Sequence, residues 1–377
     1  MNDRDESSCV YGLRQQARCL TSVYNDSDSS EFLVGTAGPN SENYVHLLNF
    51  DDSTFTARPT LYRHPHEIWD IAACPFNQHY FVTTFTDDDG EKTASLWKKE
   101  PIENVDQSLS PRPDSTSQDL TLLTTIPSKQ IKKTVWASHG EQNRLATMSN
   151  SCIKVWGIDS AHENASHTAT WNTYSEDEIK FVEDMVWSPH GDEIVATYGS
   201  SVAGWDLRSG KTTFEKHRAH PANIRAVDYN HNKPHHIVTG ADDATICIWD
   251  TRYLSGALME IVKHTHWVRD VAYNSVHDQL ILSSSSDTLV NLHSAVSVSS
   301  ASYMGEDFDD DDESASSYEA KERPTDGFIK AYDQHEDSVY SVAWSHSDIW
   351  VFASLSYDGR VVINRVPTSE KFKILGI

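Results

Sequence analysis

The chain has few cysteines, and their arrangement argues against two kinds of stabilising site. Its 377 residues include five cysteines, which are scattered and form no C-x-x-C pair. A disulfide framework normally uses an even set of cysteines, and a zinc site normally uses closely spaced pairs. The chain therefore fits a reducing compartment.

Positive charge is also scarce. Lys and Arg number 31 against 56 Asp and Glu, so the formal net charge is -25. Nucleic-acid phosphates and anionic lipid headgroups would repel such a chain. No segment approaches the roughly 20 apolar residues of a transmembrane helix, and the polar amino terminus has no signal-peptide pattern. We expect a cytoplasmic protein without nucleic-acid partners and without direct membrane insertion.

Motifs of common active sites are missing as well. The sequence contains no P-loop, no G-x-G-x-x-G, no G-x-S-x-G and no H-E-x-x-H. Two histidine pairs, His64 with His66 and His264 with His266, have a spacing that could hold a metal on a strand. Each pair falls where a sequence repeat begins, so a structural role is favoured. We predict no enzyme, no catalytic residue, no metal site and no cofactor.

Internal repetition is the strongest positive feature. Three segments share one pattern: VTGADDATICIWD at 238–250, LSSSSDTLVNLHS at 282–294 and ASLSYDGRVVINR at 353–365. In each, an Asp stands six residues before the last anchor residue, a hydroxyl stands ten before it, and a His opens the unit upstream. Short alternating segments separated by turn residues indicate half-buried strands. The unit resembles the WD repeat, in which four antiparallel strands form one blade of a β-propeller.

Weaker copies raise the number of blades to seven, the first being the least well defined. The anchors that end the third strands are Leu48, Trp97, Trp156, Trp205, Trp249, His293 and Asn364. We therefore predict an all-β fold, a single-domain, monomeric, seven-bladed WD-repeat propeller over residues 1–377. The ring needs one more strand to close, and the amino-terminal CVYGLR is favoured over the carboxyl-terminal FKILGI.

The resemblance to WD repeats also implies a hydrogen-bonded chain of His, hydroxyl, Asp and Trp across a blade. The full set is present only in blade five, because blades six and seven end on His293 and Asn364. The residues predicted to be structural on this basis are His220, Thr239, Asp243, Trp249, His264, Ser283, Asp287, His335, Ser354 and Asp358.

Two polar segments lengthen the loop between the third and fourth strands of a blade. Residues 98–118 do so in blade two, and the acidic residues 301–327 do so in blade six. Their Pro, Ser, Asp and Glu content predicts flexible, disordered insertions. The acidic insertion is expected to be a solubilising loop. Alternatively, it is a docking strip for a basic partner or a phosphorylation site, with Ser314, Ser316 and Ser317 as candidates.

Large aromatic and arginine side chains recur near the starts of the inner strands. Trp, Tyr and Arg are the residues that most often anchor protein interfaces. For each of them, packing between blades is the alternative role. The candidate partner interface consists of Trp69, Arg225, Trp267, Arg269 and Tyr340.

A narrower resemblance is carried by several segments in a fixed order. They are VYGLRQQARCL, FLVGT, HEIWDI, HWVRDVAYNSVHDQL, the Asp-rich insertion, HEDSVYSVAWS and FASLSYDGRVVINRVP. In this order they are similar to a WD-repeat family whose members interact with the endosome-associated recycling complex (EARP) and the Golgi-associated retrograde complex (GARP). The resemblance implies a non-catalytic adaptor of these vesicle tethers, peripheral at the trans-Golgi network and endosomes. It would support endosomal recycling, retrograde transport and dense-core vesicle maturation.

Two other functions stay open from the sequence. WDLR and WDTR place Arg208 and Arg252 at matching positions of consecutive blades. That pair resembles the W-D-x-R box of substrate receptors of cullin-RING ubiquitin ligases, in which the Arg helps to engage the ligase adaptor. A chromatin scaffold whose acidic loops hold histone tails is the third reading, and only the charge favours it.

Overall fold

A computed structural model gives the fold, and nearly all of its regular structure is β-strand. It describes residues 8–24, 29–39, 42–100, 117–138, 143–150, 152–159, 161–162, 164–172, 182–301 and 324–376.

The strands of the first three blades follow an initial short strand. That strand is β1 (Cys9–Gly12). Blade one contains β2 (Ala17–Ser22), β3 (Ser30–Thr36), β4 (Asn43–Asp51) and β5 (Thr56–His64). Blade two contains β6 (Ile68–Ala73), β7 (Tyr80–Thr86), β8 (Lys92–Lys98) and, after the short β9 (Gln118–Asp119), β10 (Thr121–Ile126). Blade three contains β11 (Lys133–Trp136), β12 (Arg144–Met148), β13 (Cys152–Ile158) and β14 (Ala165–Asn172).

The other four blades complete the ring. Blade four contains β15 (Val182–Trp187), β16 (Glu193–Tyr198), β17 (Ser201–Asp206) and β18 (Lys211–Lys216). Blade five contains β19 (Ile224–Tyr229), β20 (His236–Ala241), β21 (Thr245–Asp250) and β22 (Met259–Val262). Blade six contains β23 (Val268–Tyr273), β24 (Leu280–Ser285), β25 (Val290–Ser294) and β26 (Gly327–Tyr332). Blade seven contains β27 (Val339–Trp344), β28 (Val351–Ser356) and β29 (Arg360–Arg365), and the helix α1 (Thr368–Leu375) follows.

These strands form seven sheets, and within each blade the consecutive strands pair antiparallel. The sheet of blade one also includes β9, which pairs in parallel with β5, and the sheet of blade seven includes β1. The first strand of every blade contacts the first strands of the blades on either side, so seven first strands form a closed inner ring. The prediction of a seven-bladed propeller is confirmed. Each predicted anchor, from Leu48 to Asn364, lies in the third strand of its blade.

The ring closes through the amino terminus. Strand β1 pairs with β29, with Cys9 opposite Ile363 and Gly12 opposite Arg360. This confirms the preference for CVYGLR. The competing segment FKILGI contributes instead to α1, which is capped after Leu375 by Gly376 in the left-handed conformation with φ 67°.

The apolar core is divided among the interfaces between blades. Seven clusters of buried side chains are present, each built mainly from two neighbouring blades. Two interfaces are so close that they require glycine. A Cβ on Gly35 would lie 2.6 Å from Ile68 of the next blade, and one on Gly240 would lie 2.5 Å from Val268. Because glycine has no side chain, the second strand can pack directly against the inner strand of the next blade at these two positions.

The two predicted insertions leave from one face of the disc, since both follow a third strand. Their bounds differ slightly from the prediction. Lys98 is the last residue of β8, Gln118 in β9 pairs in parallel with Tyr62 of blade one, and Gly327 already pairs with Ser294. The candidate phosphorylation sites Ser314, Ser316 and Ser317 lie outside the described residues.

Candidate protein-binding face

The predicted His-hydroxyl-Asp-Trp chain of blade five is present as a set of hydrogen bonds. His220 Nδ1 lies 3.1 Å from Asp243 Oδ2, and its Nε2 lies 2.7 Å from Thr239 Oγ1. Trp249 Nε1 donates to the same hydroxyl at 2.9 Å. Burial lowers the pKa of His220. The imidazole is thus enclosed and occupied on both nitrogens, which suits a structural role.

Blade six uses a histidine where the repeat pattern has Trp. His264 lies 2.9 Å from Asp287 Oδ2 and 2.8 Å from Ser283 Oγ. The same hydroxyl lies 3.0 Å from His293 Nε2. Burial lowers the pKa of His293 to about 3, so this imidazole is neutral and can continue the chain as Trp does in blade five.

Blade seven has a looser arrangement. His335 Nε2 lies 2.8 Å from Ser354 Oγ, but its Nδ1 is 3.8 Å from Asp358, beyond hydrogen-bond distance. Asn364 is too short to reach the serine as a Trp would, and within the described part of the chain its buried Nδ2 has no hydrogen-bond partner. Burial lowers the pKa of His335 to about 4.

Blade two contains a similar chain that the fixed spacing did not reveal. His64 Nε2 lies 3.0 Å from Thr83 Oγ1, and Trp97 Nε1 donates to that hydroxyl at 2.7 Å. Thr83 occupies the place of Thr239, because each stands two residues after the partner of the anchor Trp. The hairpin of blade two is four residues longer, so a search at ten residues from Trp97 misses Thr83. Thr83 is found instead by counting two residues from Phe81, which lies opposite Trp97 in the neighbouring strand.

The inner strands carry a second repeated feature, a β-bulge one residue from their start. We call the face on which these strands begin the upper face. A bulge places one extra residue on one strand and re-aims its side chain. The register shifts mark the bulged residues as Arg18, Trp69, Glu183, Arg225, Arg269 and Tyr340. Four of them belong to the predicted partner interface, and Arg18 and Glu183 were missed.

Several bulged side chains stack on one another around the upper face. The Arg18 guanidinium lies 5.5 Å from the Trp69 ring centre and 5.7 Å from that of Tyr340. Arg269 lies 5.5 Å from Tyr340 and 5.0 Å from Trp267. All four distances are within the range of cation–π attraction. The structure therefore joins four of the five predicted residues through Arg18, which lies in the blade that is hardest to recognise from sequence.

Hydrogen bonds restrict two of these stacked side chains. Trp69 Nε1 donates to Thr86 Oγ1 at 2.8 Å, and Arg269 Nε donates to Ser286 Oγ at 2.8 Å. Trp267 is 41% exposed, so one large aromatic surface faces solvent here. Such a side chain, fixed by its neighbours and still accessible, is typical of an interface anchor.

Arg225 is placed differently from the other predicted interface residues. Its guanidinium donates to both carboxylate oxygens of Asp242, at 2.9 and 2.6 Å, and to Glu183 at 3.3 Å. These acids satisfy its charge within blades four and five. Arg225 therefore links blades four and five. It could contact a partner only by giving up its bonds to Asp242 and Glu183.

Below the upper face, a cavity of about 530 Å³ occupies the centre of the ring. Its wall includes Asp70, Asp184, Asp228 and Asp270, each accepting a backbone N–H from the next blade around the ring. Loss of contact with bulk water raises the pKa of Asp228 to about 7 and that of Asp270 to about 6. Lys133 forms an ion pair with Asp184. These groups tie the inner strands together. Among the described residues, no cluster of His, Cys, Asp and Glu could hold a metal ion.

The arginines of the two W-D-x-R segments lie on the lower face, where the third strands end. Arg252 donates to both carboxylate oxygens of Asp250, at 3.0 and 2.7 Å. Arg208 has an exposed side chain, and its backbone N–H donates to Asp206 at 2.8 Å. They lie on the opposite face from Trp267. No helix among the described residues is long and apolar enough to cross a membrane.

Comparison with known proteins identifies the family of this propeller. The family model described as EIPR1 beta-propeller matches residues 5–293, and a WD domain, G-beta repeat, matches residues 327–363. The chain belongs to the EIPR1 β-propeller family. The "EARP and GARP complex-interacting protein 1" of Homo sapiens and that of Rattus norvegicus are each 34% identical to it, over 98% of this chain and 99% of theirs.

A plant protein belongs to the same set of relatives. The "WD repeat-containing protein DWA2" of Arabidopsis thaliana is 34% identical over 96% of this chain and 97% of its own. Membership of the EIPR1 family confirms the closer resemblance read from the sequence. It is a family of WD-repeat interacting proteins, and the mammalian relatives are named for their interaction with the EARP and GARP complexes.

Proposed function

We propose that this chain is a non-catalytic adaptor that binds the EARP and GARP tethering complexes. The near full-length similarity to relatives named for that interaction carries the proposal. Partner subunits of these two complexes are the expected ligands, and no cofactor is needed. The histidines of the blade chains support a non-catalytic role, since their ring nitrogens bond to neighbouring side chains in blades five and six.

The upper face is the proposed binding surface. Trp267, Arg269 and Tyr340 form a contiguous aromatic and cationic surface in blades six and seven. Hydrogen bonds and stacking restrict these side chains before a partner arrives, so binding loses less conformational entropy there than on a surface of mobile side chains. A partner that covers Trp267 would also gain the burial of its exposed ring.

In the cell, such an adaptor would be cytoplasmic and would reach the trans-Golgi network and endosomes through the tethers, as a peripheral protein. It would there support endosomal recycling, endosome-to-Golgi retrograde transport and dense-core vesicle maturation. The tether would then contact the membrane, and the propeller would act as a monomeric binding module.

Quantitative affinity capture tests the proposal. The tagged full chain should recover all subunits of a tethering complex in comparable amounts. Trp267→Ala should reduce that recovery without lowering the melting temperature, because the ring is 41% exposed. The matched control is Arg208→Ala with Arg252→Ala on the lower face, which should capture as much tether as the wild type.

The same experiment separates the rival functions. Recovery of a cullin-ligase adaptor that is lost in the Arg208/Arg252 double variant would overturn the tether proposal in favour of a ligase receptor. Recovery of histones would favour the chromatin scaffold. The cations of the upper face do not complement a basic histone tail, and Arg252 is held by Asp250, so we expect neither result.

A further inference from the structure

Four cations on the upper face of a strongly acidic chain lie near one another without an acidic partner in the described part of the chain. Arg18, Lys92, Lys132 and Arg269 have no carboxylate within ion-pair distance among the residues that the structure describes. Their contacts are instead aromatic rings, the Ser286 hydroxyl and the backbone carbonyl of Val182. The chain as a whole has 56 acidic and 31 basic residues.

These cations lie in four blades, and blade seven contributes Tyr340 between Arg269 and Arg18. We call the set Trp267, Arg269, Tyr340, Arg18, Trp69, Lys92 and Lys132 the cationic arc. It runs from blade six through blades seven, one and two to blade three, with aromatic rings between the charges. In blades four and five, by contrast, Arg225 is paired with Asp242 and Glu183.

The cations of the arc repel one another in the free protein. Removal from water, together with the nearby charges of Lys132 and Arg18, lowers the pKa of Lys92. Removal from water is also the main cause that lowers the pKa of Arg269; Arg225 and Arg18 lower it further, whereas Tyr340 and Asp242 act against the shift. Carboxylates brought to the arc would relieve this repulsion. Arg18, Lys132 and Arg269 line the central cavity together with its aspartates, but these aspartates accept backbone N–H groups of the next blade and form no ion pair with the three cations among the described residues.

We propose that the cationic arc binds an extended acidic segment of a partner protein, with its carboxylates on Arg18, Arg269 and the two lysines and an apolar side chain on Trp267. This inference rests on the proposed function and names the chemistry of the tether segment. An extended chain advances about 3.3 Å per residue and so can follow charges spread over several blades. A single phosphate would need the cations to converge on one point, and they are distributed.

Fluorescence anisotropy with the purified full chain tests the proposal. The probe is a labelled twelve-residue peptide of repeating Asp-Glu-Phe, and the matched probe is the Asn-Gln-Phe peptide of the same length. The acidic probe should bind, and its Kd should rise by about tenfold or more in Arg18→Ala with Arg269→Ala. The variant Arg18→Lys with Arg269→Lys should bind more tightly than the double Ala variant but more weakly than the wild type, since Lys keeps the charge but lacks the planar guanidinium that stacks on the rings. Arg208→Ala on the lower face should have no effect.

Three results would overturn the proposal. They are equal binding of the neutral probe, an equal loss in Arg208→Ala, and a phosphoserine version of the probe that binds more than about tenfold more tightly. A fourth would identify another occupant: if deletion of residues 305–324 strengthens probe binding by about tenfold, the chain's own acidic segment competes for the arc.

Tether capture distinguishes failure of this inference from failure of the proposed function. Undiminished capture of tether subunits by the Arg18/Arg269 double Ala variant would overturn the acidic-segment proposal and leave the adaptor function intact. Probe binding by the wild type without any tether capture would do the reverse.

Discussion

The guanidinium of Arg18 lies 5.5 Å from the ring centre of Trp69 and thereby joins blade one to blade two on the upper face. Each of these residues is the bulged residue of its inner strand. A bulge shifts the side chain out of the regular alternation, so two neighbouring blades can direct large side chains toward one another across their boundary. Arg269 of blade six and Tyr340 of blade seven are likewise bulged residues that contact each other across a blade boundary.

The contact between Arg18 and Trp69 should be measurable as an energetic coupling. We expect a double-mutant cycle with Arg18→Ala and Trp69→Ala to give about 0.5–1 kcal/mol, the range of partly exposed cation–π pairs. Chemical denaturation supplies the four free energies of unfolding. Replacing Arg18→Ala by Arg58→Ala, an exposed residue of the outer strand β5, should give additive effects; coupling of the same size there would contradict the assignment.

The shared hydroxyl of blade five should be a main source of local stability. Thr239→Val keeps the shape of the side chain but leaves His220 Nε2 and Trp249 Nε1 buried without their partner. We expect a loss of about 2–4 kcal/mol in the free energy of unfolding. Thr197→Val is the matched control, because Thr197 is equally buried and its hydroxyl has no hydrogen-bond partner among the residues that the structure describes. Similar losses in the two variants would show that the hydrogen bonds contribute little.

Ring closure by β1 predicts a sharp boundary for amino-terminal truncation. Removing residues 1–7 leaves β1 intact and should not change the melting temperature. Removing residues 1–12 exposes the edge of β29 and deletes the bond of 3.0 Å between Tyr11 Oη and His46 Nδ1. An unpaired edge strand also promotes association between chains. Differential scanning calorimetry and light scattering should therefore show a lower melting temperature and aggregation only for the longer truncation.

Asp228 should make the stability of the ring depend on pH in a defined direction. Its folded pKa of about 7 exceeds the value of about 4 for an Asp in an unfolded chain, so the folded chain holds the proton more tightly. The resulting stabilisation is complete below about pH 4 and is lost as the pH rises through about 7. The Asp228→Asn variant lacks this change.

Denaturation of both proteins between about pH 5 and about pH 8 measures the effect. The difference in the free energy of unfolding should move in favour of the Asn variant as the pH rises. The buried histidines, whose low pKa values act in the opposite direction, are common to both proteins and cancel in the difference. Parallel pH profiles would contradict the assignment.

Deleting residues 305–324 should leave the melting temperature unchanged. The strands that flank the acidic insertion are paired without it, since Ser294 lies opposite Gly327, and Ser297 N–H donates to Asp326 at 2.8 Å. All of these residues stay in the shortened chain. A large fall in the melting temperature would mean that the insertion contributes to the core of blade six.

Local repetition made most of the fold predictable. The alternation of apolar residues, the Asp before each anchor and the opening His define blades five to seven because each blade is a unit of local contacts. Blade two shows the limit of that method. Its Thr83 accepts the same Trp hydrogen bond in blade two that Thr239 accepts in blade five. A longer turn changes the spacing to the Trp and conceals this equivalence.

The candidate site was predictable only in part for the same reason. Trp69, Arg269 and Tyr340 stand at matching positions of recognisable repeats, whereas Arg18 lies in the weak first repeat and was missed. Nothing local distinguishes Arg225 from Arg269 either, although one is paired with acids and the other is not. That difference depends on which side chains the neighbouring blades bring close.

The sequence by itself determined the repeat, the seven blades, the acidic character and the family, because these depend on patterns within short segments. Only the tertiary structure decided how the ring closes, which arginines stay without an ion pair, and that five consecutive blades align their cations and aromatic rings on one face. Those features join residues from different repeats, so they exist only once the blades are packed in a circle.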